Sequence, residues 1–332
     1  MNITFVFGNG FDLSANLKTR YMNFYPYFMD NASDENLIKI NSKSEDVYDD
    51  WADLELFLGR LPKSFGEEPI LDYMKSKEEL EKLLIEYLDL QQKAISSNEI
   101  IRYSEEFVRS IKEFEQSLPE AFERRTSSIR TNHYGKLEYK FITLNYTDFI
   151  DRMVNNVMND KKLLDENIYK DNYKISKVEH IHGTLDSGMI LGVNDSSQIL
   201  NSRFATNEFF LDSMIKQKMN TGNGYNRLVR AKHIIDNSVI IYIFGASLGK
   251  TDNGIWTYIS NWASGSKEKV LIINSYNDEY NLIKSSSARY QREKNTIIED
   301  FISRNATLSA TGKNMIRNNA IVTFEPSVFQ FS

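Results

Sequence analysis

Seven short runs, 3–7, 139–144, 178–181, 189–193, 239–244, 270–273 and 320–324, are rich in β-branched and aromatic residues. Most are apolar almost without interruption, not alternating with polar positions, which is how strands covered on both faces read. The stretches between them are mostly long enough for crossover helices. The pattern therefore predicts an α/β protein with a Rossmann-like, mostly parallel sheet.

From 51 to about 132 the rhythm changes. In "EELEKLLIEYLDLQQKAI" and "EEFVRSIKEFEQSLPEAF", Leu, Ile and Phe recur at helical spacing among Glu and Lys. This predicts an all-helical insertion within a single domain spanning 1–332, with apolar stripes packed and charged faces solvated. Pro62, Pro69 and Pro119 fall at expected helix edges. Later, "NTGNGYNRLVRAKHII" passes from turn to helix, and "KSSSARYQREKN" reads as a mobile connection or a solvated helix.

Composition narrows the class. The 332 residues, 41% hydrophobic and 26% charged, suit a globular protein with a sizeable core. A net charge of -6 disfavours a bulk electrostatic grip on nucleic acid or on an anionic membrane. With no cysteine, disulfides, thiol nucleophiles, iron–sulfur clusters and cysteine-ligated zinc are excluded. The start of the chain lacks the features of a signal peptide, and the longest strongly apolar run, 239–244, is far short of the roughly 20 residues that span a bilayer. A cytoplasmic location without membrane attachment is the expectation.

Candidate chemistry gathers at strand ends. In "NITFVFGNGFDLSANL", Gly8 and Gly10 sit where a strand should give way to a helix, and glycine there admits positive φ and lets backbone amides approach a phosphate. A dehydrogenase-type G-x-G-x-x-G is excluded, because Leu13 stands where its third glycine belongs. The P-loop lysine is missing as well. The competing reading is a tight turn with Asp12 or Ser14 capping the helix. Further polar strand ends follow at "ITLNYTDF" (142–149), "HIHGTL" (180–185), "IFGASLG" (243–249) and "LIINS" (271–275). In an open parallel sheet such ends converge on one crevice.

Among the four histidines, His182 is the leading candidate and His180 a lesser one, while His133 and His233 lie in polar or helical context; no metal-ligand spacing emerges. Asn145 could instead cap a helix starting near Thr147. Trp51 is expected to anchor the insertion, with Asp53 and Glu55 capping or lining its start. Asp53 or Glu55 could alternatively join Asp12 in holding a divalent metal for nuclease or phosphotransfer chemistry.

"FVFGNGFDLSANLKTRYMNF", "DDWADLE", "LNYTDF", "IHGTL" and "FGASLGKTD" together resemble the AbiH family of bacterial abortive-infection proteins. More distantly, the order of strand ends is similar to the NAD-binding fold of sirtuins and of sirtuin-like NAD hydrolases in antiphage defence. Sirtuins present a Gly-Ala-Gly loop, an Asn, a His-Gly pair, a Gly-Thr-Ser-Leu strand end and a late Asn. The matching positions here are Gly8, Asn9 and Gly10, then Asn145, then His182 with Gly183, then Gly245 with Ser247, and finally Asn274.

That resemblance implies NAD as substrate or ligand. The glycine loop would hold the pyrophosphate, Gly245 and Ser247 would meet phosphate or adenosine ribose, and Asn274 an adenosine hydroxyl. Asn145 would orient the nicotinamide ribose or a water at its anomeric carbon, and His182 would accept a proton near neutral pH. Two positions depart from the pattern: Thr147 stands where an acid usually follows the Asn, and Asp12 replaces the glycine-loop serine, placing a carboxylate beside the expected pyrophosphate. A cysteine-free chain also cannot build the zinc module of sirtuin deacetylases, so the resemblance implies hydrolysis of NAD to nicotinamide and ADP-ribose in place of protein deacylation. Candidate partners are the nucleotide, a phage-derived trigger or partner defence protein, and a second copy of the chain. The alternatives are a non-catalytic nucleotide-binding sensor or assembly module, and a metal-dependent nuclease.

Overall fold

A computed structural model describes residues 1–43, 49–65, 70–132, 137–160 and 173–331. Six strands form one sheet: β1 (Asn2–Phe7), β2 (Leu137–Thr143), β3 (Tyr173–His180), β4 (Ser238–Phe244), β5 (Val270–Asn274) and β6 (Ile321–Thr323). Every neighbouring pair is parallel, and the order across the sheet is β3-β2-β1-β4-β5-β6. This is the doubly wound, Rossmann-like order, in which the chain works outward from β1 to one edge and then from β4 to the other.

The apolar strands owe their composition to two cores. Side chains of a strand alternate between faces. Ile3, Phe5, Phe7, Tyr139, Phe141, Tyr242 and Ile272 enter one core, together with Phe107, Phe114, Phe329 and Phe331. Val6, Ile142, Ile241, Ile243, Leu271, Ile273 and Val322 enter the other, against Trp256, Ile259, Phe301 and Ile316. The central strands β1, β4 and β5 are dry on both faces and show no polar alternation, whereas β2 alternates over its first residues, with Glu138 and Lys140 half-buried.

The helices that matter below are α1 (Gly10–Leu13), α2 (Tyr21–Asn31), α3 (Leu54–Arg60), α4 (Ile70–Lys93), α5 (Ser97–Glu113), α6 (Glu120–Asn132), α7 (Phe149–Asn159), α8 (Lys216–Gly222), α9 (Arg227–Asp236), α10 (Asn253–Ser264), α11 (Ser287–Ser303) and α12 (Ala310–Asn319). α5 opens on a reciprocal Ser96–Glu99 capping box. The segment around "KSSSARYQREKN" is helical from Ser287 onward. Pro119 immediately precedes α6, whereas Pro69 and His133 lie outside the described residues.

Helices of the β1–β2 crossover build a third core around Trp51, which is fully buried among Phe24, Tyr25, Phe28 and Phe57. Leu191 and Val193 belong to this core. The expected strand over 189–193 is therefore not a strand: it is a buried loop whose apolar residues pack under helices. Its backbone is satisfied elsewhere, with Ile190 N–H donating to His182 O at 2.8 Å and Val193 N–H to Met214 O at 2.8 Å. A buried apolar run of this length is equally compatible with a strand or a covered loop, and only the surroundings decide.

Candidate active site at the topological switch point

β1 and β4 are the adjacent strands from which the chain departs in opposite directions, so the crevice beyond their carboxyl ends is where a ligand fits in such a sheet. A cavity of about 1120 Å³ opens there. Gly8, Asn9, Gly10, Asp12, Asn145, His182, Gly245, Ser247 and Asn274 all line it. Gly183 does not; it holds φ +76° beside Gly188 and Arg227 and serves the turn that follows His182.

The glycines have a specific steric task. A Cβ on Gly8 would lie 2.6 Å from Ala246 Cα, and one on Gly10 2.5 Å from Gly245 Cα. Gly245 itself sits at φ +66°. The loops after β1 and β4 can touch backbone to backbone only because all three positions lack side chains. Gly8 N–H donates to Phe244 O at 2.9 Å and Gly10 N–H to Gly245 O at 2.8 Å, so neither amide proton is left for a phosphate in this arrangement. α1 is a single turn, and a helix dipole contributes little there.

Neither capping alternative describes the observed bonds. Asp12 lies within α1, buried, and its carboxylate accepts from Asn145 Nδ2 at 2.8 Å and Thr147 Oγ1 at 2.7 Å. Ser14 Oγ donates to Phe11 O. Asn145 Nδ2 also reaches Gly8 O at 3.1 Å, so this side chain ties the β1 and β2 loops together and does not cap α7. Burial lifts the Asp12 carboxyl from 3.8 to about 6, against the bonds from Thr147 and Asn145 that hold it down.

His182 lies behind these loops, 5% exposed. Its Nε2 is 2.7 Å from Asp252 Oδ1, while its buried Nδ1 has no hydrogen-bond partner. Lys216 Nζ donates to the same Asp252 oxygen at 2.6 Å and to Glu55 Oε2 at 2.7 Å. Tyr146 OH donates to Ile190 O at 3.0 Å and lies 3.2 Å from Glu55 Oε1. Burial alone would raise Asp252, but Lys216 and then His182 hold it well below the usual carboxylate range. Burial works against the Lys216 ammonium, yet Asp252 and Glu55 keep its pKa above the ordinary lysine value. Burial raises Glu55 despite Lys216, because one cation serves two carboxylates and Asp252 takes the larger share.

The remaining sites are plainer. His180 bonds Asp151 at 2.6 Å and Asn145 O at 3.0 Å; burial opposes its protonation, but these partners outweigh it and raise its pKa. His233 is exposed on α9 near Asn237. Asn274 Nδ2 donates to Glu325 O at 3.0 Å, and Asn9 Oδ1 accepts from Thr19 at 2.5 Å. The metal-binding trio does not assemble: Asp53 caps α3 through Leu56 N–H at 3.1 Å, Glu55 is spent on Lys216, and Asp12 on Asn145 and Thr147.

Sequence reasoning missed Tyr146, Lys216 and Asp252. Tyr146 and Asp252 lie inside motifs already singled out, "LNYTDF" and "FGASLGKTD". Lys216 carries no local signal at all. It arrives through the 189–193 loop, since Lys216 N–H donates to Val193 O at 3.0 Å.

Fold and cavity together define a doubly wound α/β protein with a switch-point pocket walled by buried charge. The chain matches the family described as "Bacteriophage abortive infection AbiH" over residues 4–274, and it therefore belongs to the AbiH family. A search of curated proteins found no match. Among the described residues, no helix is long and apolar enough to cross a membrane.

Proposed function

We propose that this AbiH protein acts in phage defence by binding NAD in the switch-point cavity and hydrolysing it to nicotinamide and ADP-ribose. The observation that carries this reading is the bare Nδ1 of His182. A buried nitrogen without a partner costs roughly 1–3 kcal/mol, and it persists here in a side chain that lines a cavity large enough for a dinucleotide. The nicotinamide leaving group of NAD is already cationic and needs no acid. A water proton would pass to Nδ1 as the water oxygen bonds the anomeric carbon, and the C–N electron pair would leave with neutral nicotinamide. Asn145 Nδ2 is spent on Gly8 and Asp12, so its Oδ1 is the atom that would accept a ribose or water proton. The two departures from the sirtuin pattern meet in one contact, since the hydroxyl at 147 donates to the acid at 12.

Purified protein incubated with NAD is expected to release nicotinamide, and His182→Ala to lower kcat by about 10²-fold or more, as loss of a general base does. Full turnover in both His182→Ala and Asn145→Ala removes the residue assignment. No release, whether the protein is purified from uninfected or phage-infected cells, overturns hydrolysis; calorimetric NAD binding without product would then support the sensor alternative.

A further inference from the structure

The geometry points to Glu55 and Lys216 as positioning residues that select the tautomer of His182, a role that rests on His182 Nδ1 being the proton acceptor. A neutral imidazole carries its proton on one nitrogen only. With the proton on Nε2, the ring donates to Asp252 Oδ1 at 2.7 Å and leaves the lone pair on Nδ1, which no protein group occupies. With the proton on Nδ1, Nε2 must accept instead, and the donor at hand is Lys216 Nζ, 3.5 Å away. The second arrangement would abolish the base.

The position of the Lys216 ammonium decides between the two. Glu55 Oε2 at 2.7 Å and Asp252 Oδ1 at 2.6 Å each take one of its protons and hold it back from the ring. Glu55 comes from α3, in the helical crossover, and Lys216 opens α8, so docking of that helical layer sets the protonation pattern of a histidine beyond β3. Without Glu55, the ammonium is left with Asp252 Oδ1 and, 3.5 Å away, His182 Nε2. Without both Glu55 and Lys216, no cation competes for Nε2, and Asp252 keeps the ring in its original tautomer.

The test uses the full-length chain labelled with ¹⁵N-histidine, the His182 signals being assigned by their loss in His182→Gln. Wild type is expected to show the Nε2–H form. Glu55→Met, similar in length and without an acceptor oxygen, is expected to shift population to Nδ1–H and to lower kcat for NAD about tenfold with KM unchanged. Glu55→Met/Lys216→Met is expected to restore both the Nε2–H form and kcat, an outcome that a merely structural ion pair would not produce. If Glu55→Met does not fold, Glu55→Asp, which withdraws the carboxylate by one methylene, reads the same shift. An Nδ1–H form in wild type, an unmoved tautomer in the single variant, or no return in the double variant overturns the inference. A tautomer that responds as described in a protein that never hydrolyses NAD would sink the proposed reaction and leave the Glu55–Lys216 control of His182 standing.

Discussion

Asp12 shows how one carboxyl can be read correctly by position and incorrectly by role. Its neighbours on the chain suggested a helix cap or a repulsive charge beside phosphate, whereas its bonds run to Asn145 and Thr147 on another loop. Because burial raises its pKa from 3.8 to about 6, the folded protein binds a proton here that the unfolded chain has already released. The sign follows: between about pH 4 and 6 the native state holds more protons, so this group makes stability fall as pH rises through that window, by an amount on the order of 3 kcal/mol. Asp12→Asn is expected to remove most of that slope, measured as urea-unfolding free energy at a series of pH values. An unchanged slope would show that the carboxyl titrates normally.

At the scale of elements, the contact between the β1 and β4 loops is the joint on which the cavity depends. Gly245→Ala would place a Cβ 2.6 Å from Gly10 Cα at φ +66°. Backbone conformation alone costs about 1–3 kcal/mol for a non-glycine residue, and the overlap adds to it. The expected result is a lower thermal midpoint together with loss of nucleotide binding, whereas Gly224→Ala, also at positive φ but with open space around it, is expected to lower the midpoint less and leave binding intact. The central strands were legible because they bury both faces, and β1, β4 and β5 were expected nearly at their observed bounds. β3 was only half seen, since in its first residues, "YKIS", the buried Ile175 stands between Lys174 and Ser176 on an edge strand. The 189–193 run misled for the opposite reason, being fully apolar but covered by helices that no local pattern reveals.

For the whole molecule, three cores share one pocket, and the wall facing the helical layer supplies Glu55 while the sheet side supplies Asp252 and His182. Bacteria expressing the wild-type gene are expected to resist a susceptible phage in a plaque assay, and those expressing His182→Ala at equal protein level to lose that resistance. Equal protection by both would separate the family's defence role from this cavity.

The amino-acid order alone determined a parallel α/β protein with glycine, asparagine and histidine turns ending successive strands, because periodicity and turn chemistry are written locally. The β1/β4 joint, the sharing of Asp12 with Asn145 and Thr147, and the buried row from Glu55 through Lys216 and Asp252 to His182 were decided only in three dimensions. Glu55 and Lys216 stand 161 positions apart, and a charge pair of that separation has no spacing to betray it. It exists because packing removes both groups from water and leaves each as the partner the other requires.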